Sequence, residues 1–162
     1  MTIDVSAAGV VVRENPHLQT RLASRWGGAG SAASLARRFP RDPSSVGSAR
    51  RAVEELADRL QPDLLADLRL LVSELMANSV EHAPRRDGET IRLSVSITDD
   101  RVRAEVRDGG RGFTPLASRP AVDAPSGRGL FFVDQLATSW GVTSVGGTCV
   151  WFELERSPAR AI

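Results

Sequence analysis

The sequence predicts an α+β fold: a two-layer sandwich in which helices cover one face of a mainly antiparallel sheet. Three observations carry this. Between residues 44 and 83 apolar side chains recur at helical spacing in two successive stretches. "TIRLSVSIT" and "RVRAEVRD" alternate apolar and polar residues, as strands with one covered face do. A Gly- and Pro-rich break then leads to a short helix and two closing strand-like runs.

The elements follow in order. Residues 1–33 are read as a mobile extension, rich in Gly, Ala and Ser, with one strand near Val10 to Val12. Residues 34–156 form the domain, and 157–162 a tail. Asp42-Pro43-Ser44-Ser45 supplies helix-start chemistry ahead of Val46, Ala49, Ala52, Val53, Leu56 and Leu60, which predicts a first helix over residues 44–60. Pro62 and Asp63 open a second helix whose Leu64, Leu65, Leu68, Leu71, Val72, Leu75, Met76 and Val80 continue the pattern until Pro84 stops it. Ile91, Leu93, Val95 and Ile97 then share one strand face, and Val102, Ala104 and Val106 the matching face of its hairpin partner across Asp99-Asp100. A third helix is expected over residues 129–138, and a closing hairpin around Gly146-Gly147.

Composition excludes several function classes. Lys and Arg number 21 against 20 Asp and Glu, a net charge of +1 that gives no electrostatic case for a nucleic acid partner. One cysteine, Cys149, cannot form an intrachain disulfide, no signal peptide opens the chain, and no run reaches the roughly 18 apolar residues of a membrane span. The expectation is a cytoplasmic protein that does not engage membranes. His17, His82 and Cys149 are too scattered for a zinc site, so a metal here would be held by oxygen.

The second helix sets Asp67, Glu74, Asn78 and Glu81 in one sector and its apolar residues in another. Taken alone, a Glu-x-x-x-Asn is more often the solvated face of an amphipathic helix, and His82 at its edge is assigned no role. The second feature is "RDGGRGF", where Asp108 ends a strand and Gly109, Gly110 and Gly112 permit a close backbone approach to a ligand. A carboxylate there can accept a hydrogen bond from an exocyclic amine. The excursion "FTPLASRPAVDAPS" is long for a compact domain and ends in "GRGL", a helix start whose free N–H groups suit a phosphate. Each box is weak by itself; their order, closed by Gly147-Thr148 at the last strand, is the informative signal.

This ordered set resembles the ATP-binding boxes of the GHKL superfamily, which has the Bergerat fold with its mixed, mainly antiparallel sheet. Within that superfamily "LVSELMANSVEHA", "VRDGGRGF", "GRGLFFVDQLATSWGV" and "GGTCVWFEL" are similar to bacterial anti-sigma-factor serine/threonine kinases. The resemblance implies ATP and Mg²⁺ as cofactors, Asn78 as the metal ligand, and Glu74 as the catalytic group that orients or deprotonates the attacking hydroxyl. It further implies that Asp108 binds the adenine amino group and that Gly110 and Gly112 let the loop close over the base. Gly127, Arg128, Gly129 and Leu130 would lie against the phosphates, with Arg119 and Arg128 as phosphate partners and Thr148 supporting Asp108. The implied partners are a sigma factor and a STAS-domain anti-anti-sigma protein, and the family admits a homodimer. The alternative is a regulatory binding module tuned by nucleotide without phosphotransfer. A fragment of a histidine kinase is disfavoured, because only His17 precedes the domain and its segment lacks helical periodicity.

Overall fold

The computed structural model describes residues 3–6, 10–14, 34–82, 88–109, 128–144 and 146–156. Seven strands, β1 (Ile3–Ser6), β2 (Val10–Glu14), β3 (Leu35–Pro40), β4 (Thr90–Ile97), β5 (Arg101–Asp108), β6 (Ser139–Thr143) and β7 (Thr148–Glu155), form one sheet in the order β1-β2-β6-β7-β5-β4-β3. Three helices, α1 (Ser44–Glu54), α2 (Pro62–His82) and α3 (Arg128–Leu136), accompany it.

Every pairing is antiparallel. The expectation of a mixed sheet is therefore corrected: no parallel pair occurs among the described residues. The connections give the reason. α1 and α2 pack on each other between β3 and β4, and a pair of helices returns the chain to the end it left, whereas a single crossover helix would have made its strands parallel.

Alternation decides which sheet face is covered. Ile91, Leu93 and Val95 of β4, Val102, Ala104 and Val106 of β5, and Phe152 and Leu154 of β7 are buried in one cluster with Val53 of α1, Leu68, Leu71, Val72, Leu75 and Met76 of α2, and Val133 of α3. The helix layer and this sheet face make the single core that the sequence pattern anticipates. Asp134 of α3 accepts a hydrogen bond from the Trp140 indole N–H at 3.1 Å, which ties the third helix to β6. Near the chain's end Arg156 donates to the carbonyls of Thr98 and Arg59 at 3.0 and 3.1 Å, fastening β7 to the β4–β5 turn and to the segment before α2.

Three elements depart from expectation. Strand β3 was not anticipated: only Leu35 and Phe39 of its six residues are buried, so its alternation is too sparse to read, and Arg38 and Pro40 suit an exposed sheet edge. The first helix ends at Glu54 rather than Leu60. There the Glu55 and Leu56 amides bond to the carbonyls of Ala52 and Val53, and a 3₁₀ turn over Ala57–Arg59 follows, which still lets Leu56 and Leu60 reach the core. At the N-terminus two strands pair where one was expected, and β2 joins the sheet beside β6. The rest of residues 1–33, and 157–162, lie outside the described residues.

Candidate functional site

Helix α2 supplies the first half of the site. Leu68, Leu71, Val72, Leu75 and Met76 of its apolar sector are fully buried, while Glu74 and Asn78, one turn apart, are half-buried on another flank. At that spacing their side chains project as neighbours, roughly 5–6 Å apart at Cβ. Asp67, farther back on α2 and also half-buried, has its carboxyl pushed above the ordinary range, first by burial and then by the nearby Asp63. Glu81 is exposed at the far end.

The second half comes from the ends of β5 and β7. Asp108 is the last residue of β5 and stands directly opposite Thr148, the first of β7. Strand alternation sets the direction of both. Val106 and Val150 face the helix layer, so Asp108 and Thr148, each two residues away, face it too. Thr148 is 6% exposed and Asp108 half-buried. Directly opposed residues sit within about 4.5–5.5 Å, close enough for a hydroxyl and a carboxylate to serve one ligand.

Gly147 explains how the two strands come so close. Its φ is +119°, and a Cβ built on it would run into the carbonyl oxygen of Asp108. A side chain here would push β7 away from Asp108.

A largely buried ion pair, which sequence reading missed, lies beside both halves. Arg41, whose side chain is only 6% exposed, donates from Nε to the Ser79 carbonyl at 3.1 Å and from Nη2 to the Val80 carbonyl at 3.0 Å. Its Nη1 lies 3.7 Å from Oε2 of Glu89, just before β4. The other oxygen of Glu89 abuts Gly109, where an added Cβ would lie 2.9 Å away. The helix turn beginning just after Asn78 and the residue just after Asp108 thus both lie beside the Arg41–Glu89 pair. Arg41 sits in a charged stretch, "RRFPRD", that looks solvated, and no periodicity marks one arginine of it as buried.

The third contribution is the start of α3 at Arg128, followed by Gly129 and Leu130, and α3 packs beside α2. Its first-turn amides have no partners within the helix, which makes this end suited to an anion. Leu130 is half-buried and packs on the core, which anchors the helix end. Gly110, Gly112, Arg119 and Gly127 lie outside the described residues. Among the described residues no group of three or more His, Cys, Asp or Glu is placed to hold a metal ion.

The family profile of the histidine kinase-like ATPase domain matches residues 39–154. The chain belongs to that family. Membership places it in the GHKL superfamily, as the boxes led us to expect, and the match spans β3 to β7 with every described half of the site inside it. No curated protein sequence matches this ATPase-like chain. Among solved structures it is similar to the histidine kinase domain of the blue-light-activated histidine kinase of Erythrobacter litoralis EL346, at 24% identity and a TM-score of 0.47, over 68% of this chain and 59% of that one. This chain thus spans less than two thirds of that domain. It is also similar to the mycobacterial sensor histidine kinase MprB, at 16% identity and a TM-score of 0.46, over 77% of this chain and 100% of that one. No helix among the described residues is long and apolar enough to cross a membrane.

Proposed function

We propose that this histidine kinase-like ATPase domain is an ATP-dependent serine kinase that sequesters a sigma factor and phosphorylates a serine on a STAS-type anti-anti-sigma partner. The observation that carries the nucleotide reading is the register of Asp108 with Thr148 on the sheet face covered by α2, with the chain just beyond each half lying beside the Arg41–Glu89 pair. The sigma factor and the STAS partner rest on the likeness of the boxes to anti-sigma-factor kinases.

The residues present fit an adenine nucleotide. Asp108 offers a carboxylate to the exocyclic amine of adenine, and Thr148, held opposite it, offers a hydroxyl to the same ring or to a water beside it. The amides opening α3 suit the phosphates.

They also fit magnesium. Asn78 carries one neutral oxygen on a half-buried helix flank, and magnesium prefers one or two protein oxygens together with phosphates and water. When bound, the ion supplies neutralisation of charge on the phosphates. The chain's own part is positioning: Asn78 holds the ion's side of the site, and Glu74, one turn away, accepts the proton of the serine hydroxyl and aims its oxygen.

The test is transfer of labelled γ-phosphate to a purified STAS-domain partner. Wild type is expected to label one serine, and Glu74→Gln to lose at least about a hundredfold in transfer rate while its ATP affinity stays within about threefold. Undiminished transfer by Glu74→Gln would remove Glu74 from its assigned role. Tight partner binding with no labelled serine would favour a nucleotide-tuned module without chemistry.

A further inference from the structure

Arg41 is mounted in the turn between β3 and α1. The Asp42 amide and the Ser45 hydroxyl both donate to the Pro40 carbonyl, at 3.0 and 2.6 Å, which fixes the backbone on either side of it. From there its guanidinium reaches the Ser79 and Val80 carbonyls. These belong to the last turn of α2, whose carbonyls have no partner within the helix. Capping a helix end accounts for both bonds. It does not account for Glu89.

Glu89 stands just before β4, with its side chain 18% exposed. Its Oε2 is 3.7 Å from Nη1 of Arg41, beyond hydrogen-bond length, and accepts no hydrogen bond among the described residues. A carboxylate buried with so loose a partner costs stability, and an apolar residue would serve packing better. Its Oε1, however, abuts Gly109. Strands β4 and β7 flank β5 in the sheet, and Gly147, just before β7, crowds the Asp108 carbonyl from the β7 side, its Cβ position 3.7 Å from the Gly109 Cα. The chain at Asp108 and Gly109 is thus bracketed between Glu89 and Gly147.

We infer that Arg41 and Glu89 are positioning residues for the candidate nucleotide site, an inference that rests on the nucleotide reading above. Arg41 fixes the turn that follows Asn78. Glu89, oriented by Arg41, fixes the chain that follows Asp108, so that the metal and adenine halves keep one spacing. Neither residue needs to touch the ligand. Charge and position then predict opposite signs. Glu89→Gln removes a negative charge near an anionic ligand, which on electrostatics alone tightens ATP. Loss of position weakens it, because small displacements of binding groups are costly. Arg41→Lys keeps its charge but loses the fork that serves two carbonyls.

The experiment is calorimetric titration of magnesium ATP into the full chain as wild type, Glu89→Gln, Arg41→Lys and the double variant, at a temperature where thermal melts show each folded. Each single variant is expected to weaken ATP about tenfold. The double variant loses no more than about twofold beyond the worse single, because either change breaks the same tie. Gly109→Ala approaches the tie from its other end at little cost to folding, since its methyl group meets only the far end of Glu89. It is expected to weaken ATP in the wild-type background and to add nothing to Glu89→Ala. Unchanged or tighter ATP binding by folded Glu89→Gln, additive losses in the double variant, or an equal effect of Gly109→Ala in both backgrounds overturns the positioning role and leaves the nucleotide reading standing. A folded wild type that binds no ATP overturns the nucleotide reading, and this inference with it.

Discussion

At the scale of single residues the site rests on a few side chains with narrow tolerances. Arg41 satisfies two carbonyls at the end of α2 and faces a mostly buried Glu89. Arg41→Ala strands all three, and urea unfolding is expected to show a loss of about 2–4 kcal/mol. Arg41→Lys keeps the charge but lacks the fork that serves both carbonyls, so it recovers only part of that loss. Gly147→Ala faces both a positive φ and the Asp108 carbonyl. It is expected to lose about 1–3 kcal/mol and to weaken adenine nucleotide at the same time, since β7 moves away from Asp108; an alanine variant with wild-type stability contradicts the close approach. These residues also mark where sequence reading stops. Asp108, Thr148, Glu74 and Asn78 could be named as candidates from their types and order, whereas Arg41 and Glu89 are charged residues among many, singled out only by burial that emerges from tertiary packing.

At the scale of elements, legibility followed the density of apolar contacts. Helix α2 and strands β4 and β5 place an apolar residue in the core at nearly every expected position, and the sequence periodicity anticipated them. β3 buries two residues of six, and the end of α1 changes helical pitch without changing which leucines are buried; neither leaves a clear periodic trace. The β4–β5 turn carries a pH-sensitive tie. Asp100 accepts hydrogen bonds from Arg101 at 2.9 Å and from the Thr98 hydroxyl at 2.7 Å, which hold its carboxyl at about 2, below the ordinary 3.8. A carboxyl lowered by folding stabilises the native state above its unfolded pKa, and that contribution is lost as pH falls from about 4 toward about 2. Urea midpoints measured across this window are expected to fall less steeply for Asp100→Asn than for wild type. Identical slopes contradict the tie. Asp67 works in the opposite direction: its raised carboxyl favours the folded state at low pH, and that contribution fades as pH rises through its folded value.

At the scale of the whole molecule, the antiparallel sheet brings Asp108 and Thr148, far apart in sequence, into register at one end, and the helices that carry Glu74, Asn78 and the opening amides of α3 pack on each other. The other sheet face holds a charge network in which Arg101 and Arg103 share Glu153. The two-layer architecture was readable from apolar periodicity and family membership from the ordered boxes, because a fixed sequence of weak signals is far more specific than any one of them. The all-antiparallel pairing was not, since it depends on how two helices return the chain between β3 and β4. The central claim is that the Asp108 end of this sheet binds adenine nucleotide with help from magnesium at Asn78. Calorimetric titration of ATP into wild type and Asp108→Asn, with and without magnesium, tests it most directly. The account predicts magnesium-dependent binding that weakens about ten- to a hundredfold in the variant; a folded wild type that binds no ATP, or an Asp108→Asn chain that binds it equally well, contradicts it.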